Sequence, residues 1–338
     1  MTTANAAAPS PAARKPAALR GRRLAGAAAA GVAALAAVSA LTAGGPGRAD
    51  AAVLVNCAAT LGSCSYPAAA TTGVPAGTPL KAVPAQATSG PGWAYNPTTQ
   101  TVVVNTDGTV LSGLSITGTL QVNADNVTVK NVKVTASGNF GISLTHTAGA
   151  TIANSTITGL NATTGRVSYA IDDVYGDSTG MTVKNNDISN FRTAIQMSTG
   201  LIAGNYLHDP GYIAGDHTNG IYVGGGTQPL TVTGNTILLS LGQTDAINLD
   251  AGTPGPAAPV ANKTIAGNFL AGGSYTIYAG AASGSPTTNI VVQNNRFGQA
   301  YYAKSGQYGP VAYFDPAGTG NTWTGNVWDT TASAVSAT

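Results

Sequence analysis

The chain has 338 residues, with 13 Asp, no Glu at all, 15 Lys and Arg, and 44 Gly. Without Glu and with few Lys it lacks the usual material of long solvated helices, and its abundant Thr, Asn, Val, Ile and Gly suit strands and turns. Six of the positive charges lie in the first fifty residues, so residues 52–338 carry nine Lys or Arg against twelve Asp, a net charge of −3. No basic stripe remains there for a nucleic acid, and that class of function is set aside.

In chain order, Arg14, Lys15, Arg20, Arg22, Arg23 and Arg48 surround an Ala/Leu/Val-rich run from Leu24 to Leu41. This is the pattern of an export signal, and Ala49-Asp50-Ala51 supplies a small-x-small cleavage site, with cleavage expected after Ala51. Arg22-Arg23 suits the twin-arginine route, and the general secretion route stays open. The remaining 287 residues can bury a long core in one domain, outside the cell and with no stable membrane insertion. Cys57 and Cys64 are the only cysteines. An oxidising exterior lets them close a small loop, and a metal pair is the weaker reading because no His is near. Residues 52–108, rich in Pro, Gly and Ala, read as an N-terminal cap over the exposed edge where a repeating region begins.

From about residue 109 to 330 the chain repeats itself. The segments VTVKNVKV, ATIANSTI, MTVKNNDI, GLIAGNYL, LTVTGNTI, KTIAGNFL, IVVQNNRF and NTWTGNVW share the pattern apolar-x-(Asn/Gly)-(often Asn)-x-apolar. Their anchors fall at Val129, Ile152, Val183, Ile202, Val232, Ile265, Val292 and Trp323, with Leu111 as an earlier member, about 26 residues per step. Between them a second family, FGISL, YAIDD, TAIQM, NGIYV, DAINL and YTIYA, alternates strictly with the first. One short strand of each kind per repeat predicts an all-β fold, a single-stranded right-handed parallel β-helix of about nine coils with an N-terminal cap and a tail at 331–338. A propeller blade needs four antiparallel strands in about 40 to 50 residues, more than these steps supply.

Stacked coils lie about 4.8 Å apart, so equivalent residues form columns. Ile142, Ile171, Ile195, Ile221, Ile247 and Ile277 are expected as one buried column. Asn186, Asn205, Asn235, Asn268, Asn295 and Asn326 are expected as another at a corner, where Asn tolerates left-handed backbone and its amide bonds its neighbours above and below. The longer steps, 152–183, 202–232, 232–265 and 292–323, are expected to extrude loops over the wall.

Alignment on the isoleucines gives an outward column of Ser143, Asp172, Gln196, Tyr222, Asn248 and Tyr278. An ordinary hydrophilic wall accounts for it as readily as a binding surface does. Asp216-His217-Thr218-Asn219-Gly220-Ile221 is the richest cluster, setting a titratable imidazole beside that column. An adjacent carboxylate such as Asp216 can hold the tautomer that proton transfer at a sugar needs, and a loop His bonded to a carbonyl is the plain alternative. His146, His208 and Asp209 read as structural. Asp172 and Asp245 are expected three coils, or ~14 Å, apart, too far for the carboxylate pair of a glycosidase. A hydrolase would then need Asp172 with Asp173 or Asp216, or Asp216 with Asp245. Asp172, Asp173 and Asp245 also suit Ca²⁺, which takes six to eight oxygens, whereas Asp177 and Asp250 read as turn residues. Tyr222, Tyr278, Tyr275, Tyr212, Tyr301 and Tyr302 offer aromatic faces to sugars, and Arg166, Arg192 and Lys304 can meet a uronate carboxylate.

These ladders, with the GDHTNGI, YGDSTG and GQTDAI segments, resemble the secreted right-handed parallel β-helix proteins of actinobacteria in the broad pectate-lyase-like superfamily, over roughly residues 56–330. The resemblance implies an extracellular polysaccharide substrate, often acidic, cut by a lyase or a hydrolase. Of the polygalacturonase set Asn-Thr-Asp, Asp-Asp, Gly-His-Gly and Arg-Ile-Lys only Asp172-Asp173 has a counterpart, and the clustered Asp ligands and Arg base of pectate lyases are missing. No catalytic residue carries over from the family. With the polysaccharide substrate that the resemblance implies, the absence of a close carboxylate pair leads to an expected β-eliminating polysaccharide lyase, working as a monomer. His217 transfers the proton with Tyr222 and Asp216 assisting, and Asp172, Gln196, Asn248, Tyr278, Arg192 and Asp245 bind substrate. A glycoside hydrolase on the same fold, or a non-catalytic glycan-binding or surface β-helix, are the alternatives.

Overall fold

The computed structural model describes residues 57–59, 61–160, 167–250 and 259–337. Residues 1–51, where the export signal is expected, and Arg166 lie outside them. Short strands, mostly of three to seven residues, fall into three sheets of ten, eleven and nine strands. Successive strands visit the three sheets in rotation: Thr128–Lys130, Lys133–Ala136 and Phe140–Leu144 make one turn, and Thr151–Ala153, Thr156–Gly159 and Val167–Asp173 the next. Each strand pairs in parallel with its equivalent one turn away. The fold is therefore a parallel β-helix of about nine coils, with three strands per coil where two were expected.

The third strand was hidden inside the first repeat family. In Thr182–Lys184 and Asp187–Ser189, two strands of different sheets flank Asn185-Asn186, so the shared motif is a strand, a corner and a second strand. We call the three sheets the anchor sheet (Thr182–Lys184 and equivalents), the ladder sheet (Asp187–Ser189) and the cleft sheet (Phe191–Gln196). Val183, Ile188 and Ile195 turn inward from one coil, and their equivalents join them in one continuous core from Val83 to Val335. The isoleucine column is in register from Ile142 to Ile277, and every member is fully buried.

The corner asparagines divide their labour. Left-handed backbone falls on the residue before the inward corner position, at Asn131, Asn154, Asn185, Gly204, Gly234, Gly267, Asn294 and Gly325, positions where only Asn or Gly is tolerated cheaply. The next residue turns inward. Asn186, Asn205, Asn235, Asn268 and Asn295 each donate both their backbone N–H and their Nδ2 to the Oδ1 of the next Asn at 2.9–3.0 Å. Each Nδ2 also reaches a carbonyl of the preceding coil, as from Asn235 to Ile202 at 3.0 Å. The expected amide stack is present, and the expected left-handed asparagines are one residue earlier.

Residues 81–104 cover the first coil, where Lys81–Val83 pairs with Leu114–Ile116 and a hairpin, Trp93–Asn96 with Thr101–Val104, leads into the cleft sheet. The stretch before them does something else. Cys57 and Cys64 form a disulfide, and their loop packs on Phe269 and Ala271, far along the coil. The Cys57 and Ala58 amides donate to the Asp329 carboxylate, both at 3.0 Å, and Arg296 donates to it at 3.1 Å. Further on, Gly73 donates to the Asn185 carbonyl and Val74 to Thr156 Oγ1, both at 3.0 Å. The segment thus straps the ladder sheet lengthwise, from the last coil back to the first.

Candidate functional site

Five of the six isoleucines in the cleft-sheet column follow Gly or Ala, at Gly141, Ala170, Ala194, Gly220 and Ala246, and the sixth follows Thr276. Gly220 faces inward, since a Cβ there would meet Ile237 Cγ2 and the Ala246 carbonyl, both at 2.5 Å. Two successive inward positions, Gly220 and Ile221, bend the strand. Asn219 and Tyr222, three residues apart, therefore both face outward, where a flat strand would put them on opposite faces. The wall consequently bears two polar columns. One is the expected Ser143, Asp172, Gln196, Tyr222, Asn248 and Tyr278, in register throughout. The other is Tyr169, Thr193, Asn219 and Asp245.

Two adjoining cavities lie between the columns. One of about 450 Å³ is lined by Tyr169, Arg192, Thr193, Gln196, Asp216, His217, Asn219 and Tyr222. The other, about 470 Å³, is lined by His217, Asn219, Tyr222, Thr244, Asp245, Asn248, Asp250, Ser274 and Tyr278. His217, Asn219 and Tyr222 belong to both, so the two form one cleft, each half of a size usual for ligand sites. Of the residues expected from the sequence, His217, Tyr222, Asp216, Gln196, Asn248, Tyr278, Arg192 and Asp245 line it. Asp172 does not; it stands in the outward column next to Gln196 but is 3% exposed. Tyr212, Tyr301 and Tyr302 lie elsewhere.

His217 is exposed at the junction of the two cavities. It differs from the other histidines. His208 sits between Asp187 and Asp209, at 2.8 and 2.7 Å, and stacks on Tyr206; the two carboxylates raise its pKa against the opposing effect of burial. His146 pairs with Asp177 at 2.6 Å and stacks on Tyr175. The expectation that Asp216 braces His217 is not met: Asp216 Oδ2 accepts the Ile213 amide at 2.9 Å and closes a turn.

Tyr222 donates its hydroxyl to Asp250 Oδ2 at 2.5 Å. Burial, followed by this bond and the Asp250 charge, pushes its pKa far up, so the phenol keeps its proton. Asp250, read from sequence as a turn residue, is thus part of the cleft. Asp245 is 2% exposed, and its Oδ1 has no hydrogen-bond partner. Burial, then the Asp250 charge, holds its pKa well above the carboxylate range. Burial of this kind favours the protonated carboxyl, which has an O–H to donate. The residue before it, Thr244, has φ +106°, an unusual value for a β-branched side chain that marks strain beside the cleft.

Arg192 lies over the Tyr169 ring, 4.8 Å from its centre, and donates to its hydroxyl. Asp172 is buried with Oδ1 unpartnered; burial and then Asp173 push its pKa to about 7, against the pull of Arg192. Asp172, Asp173 and Asp245 do not gather into a cation site. Among the described residues no group of three or more His, Cys, Asp or Glu side chains is arranged to hold a metal ion. A third cavity, about 430 Å³, adjoins through Gln196 and is floored by Asp173 and Gly224 to Gly226. Behind it Lys263, 1% exposed, donates to the carbonyls of Ser198 and Gln228 at 2.8 and 2.6 Å, and burial lowers its pKa to about 8.

Sequence reasoning missed Asn219, Thr244, Asp250 and Ser274 as cleft residues, and the interior Lys263. The Gly or Ala before five of the six column isoleucines was the available signal for the second column. Lys263 gave none, because it stands at an inward anchor-sheet position between Leu230 and Ile290 that elsewhere is apolar. Fold and site together define a parallel β-helix with a polar cleft on one wall. No protein-family model, no curated protein and no solved structure matches the chain.

Proposed function

We propose that this is a secreted polysaccharide-acting enzyme of the pectate-lyase-like kind, a β-eliminating lyase acting on a uronate-containing chain. The observation that carries the reading is a cleft whose two halves share His217, Asn219 and Tyr222, with the buried Asp245 carboxyl, its Oδ1 unpartnered, in its lining. The cleft touches five coils, from the Ile171 coil to the Ile277 coil, about 19 Å at ~4.8 Å each. That length suits several sugar rings in a row.

β-Elimination needs a base for the proton α to the carboxylate, relief of charge on that carboxylate, and an acid for the departing glycosidic oxygen. His217, exposed and unbraced, is the base. Asp245, being neutral, donates to the substrate carboxylate instead of repelling it, and the Asn219 and Asn248 amides add donors aimed where charge grows in the transition state. Tyr222, protonated at working pH, turns its hydroxyl from Asp250 to the leaving oxygen and serves as the acid. The C–H proton goes to the imidazole, the C–O bond breaks to leave a C=C bond, and the phenolic proton goes to the leaving oxygen. The export pattern and the Cys57–Cys64 disulfide support an extracellular setting.

The test is a panel of uronate and neutral polysaccharides followed by ultraviolet absorbance of the unsaturated product and by reducing ends. Both signals should rise together on a uronate polymer, and His217→Ala should lower kcat by at least about 100-fold. Unchanged activity in that variant rejects the assignment. The neutral Asp245 would equally serve as the general acid of a hydrolase, in which case reducing ends appear without unsaturation. No turnover on any polymer would leave a binding protein.

A further inference from the structure

Beyond the last coil of the cleft the wall continues as tyrosine. Tyr278, at the end of the outward column, packs its ring 5.6 Å from Tyr275 and 5.6 Å from Tyr313, and Tyr275 lies 5.9 Å from Tyr308. Tyr308 and Tyr313 are 59% and 52% exposed. Together with Tyr275 and Lys304 they line a separate depression of about 670 Å³. Lys304 is exposed and pairs with no carboxylate among the described residues.

Two features of this patch are costly unless something uses them. Neighbouring aromatic rings left in water forgo burial. Tyr313 has φ +59°, left-handed backbone that a bulky side chain rarely adopts, and its ring ends against Tyr278. Such outliers gather at ligand sites. A tyrosine presents an apolar face with a polar tip, which matches a sugar ring with an apolar C–H face and a hydroxyl rim.

We infer that Tyr275, Tyr308 and Tyr313, with Lys304, form a second glycan-binding platform that grips the part of an acidic polysaccharide running past the cleft, through ring stacking and one ammonium–carboxylate contact. The inference rests on the proposed reading for the identity of the ligand as a uronate chain. It predicts that the protein prefers long chains over short ones. It also predicts that this preference lies in affinity, because the platform touches no reacting atom.

The test uses the exported protein and uronate dimers and hexamers prepared from pectate, alginate and hyaluronan, with binding measured calorimetrically. Wild type should bind hexamers of one of the three more tightly than dimers. The double variant Tyr308→Ala, Tyr313→Ala should lose about tenfold in hexamer affinity with dimer affinity kept. Tyr313→Phe should retain stacking, and Tyr212→Ala, exposed and outside the cleft, should change nothing. Lys304→Gln should flatten the salt dependence of hexamer binding. Hexamer affinity unaffected by the double variant, or no hexamer bound by wild type, overturns the platform. Tyrosine-dependent hexamer binding without any unsaturated product would instead retain the platform and sink the lyase.

Discussion

Burial of Asp172 in the wall beside the cleft has a consequence for stability. Its folded pKa of about 7 lies above its ordinary 3.8, so the fold favours the protonated form. The stabilising balance is complete below 3.8 and is lost progressively as pH rises towards about 7. Asp172→Asn should therefore raise Tm more at pH 8 than at pH 4, and an equal shift at both would contradict the assignment. His208 adds a slope through a different group. Its pKa is raised, so its clasp on Asp187 and Asp209 is fully present below the ordinary imidazole range and is lost as pH rises through the raised value. His208→Gln should accordingly cost more stability at pH 5 than at pH 9 in thermal melts. In the cleft, Asp245→Asn keeps a neutral donor and should retain more activity than Asp245→Ala. Equal loss in the two would argue that the carboxyl must ionise.

At the scale of elements, the asparagine ladder and the small-residue bend decide most of what the wall can do. Asn235 receives the Asn205 amide and Nδ2 on its Oδ1 and returns bonds to Ile202 and Asn268, all out of contact with water. Asn235→Ala orphans several buried groups at once and should cost about 3 kcal/mol or more, measurable by denaturant unfolding. Asn→Asp at the same site removes the Nδ2 donors and brings a charge into the interior, and should be no better. Gly220→Ala acts on the bend. Its Cβ would press a backbone carbonyl and Ile237, so the variant should lower Tm and alter the cleft between Asn219 and Tyr222. The bend also explains why a strand with polar residues three apart is not a mismatch with the two-residue period of a sheet.

In the whole molecule, the N-terminal strap links the ends of a coil whose neighbours otherwise touch only one another. In such solenoids each coil is stabilised chiefly by the next, so the last coil is the weakest unless something caps it. Here Asp329 collects the Cys57 and Ala58 amides and the Arg296 guanidinium, and the disulfide loop covers Phe269. Reducing the disulfide, or Cys57→Ser with Cys64→Ser, should cost about 2 kcal/mol. Hydrogen exchange should rise first around Phe269–Gly272 and Trp328, with the central coils unaffected; uniform loss of protection along the coil would refute a local latch.

The repeat, the isoleucine column, the amide stack and the register of the outward column were legible in the sequence because stacking turns sequence period directly into spatial neighbourhood. The place of Tyr222 was legible for the same reason, because it stands in that column, whereas His217 stands out only as the titratable residue of the cluster that leads into it. Three things were decided only by the tertiary structure. The third strand of each coil lay inside a motif whose corner is set by one left-handed residue, which no hydrophobic period reports. Partners such as Asp250 for Tyr222, or Ser198 and Gln228 for Lys263, come from coils and loops whose lengths vary. The strap joins residues more than 270 positions apart, and what fixes it there is the packing of Cys57 on Phe269 and the buried carboxylate of Asp329, contacts that carry no periodic trace.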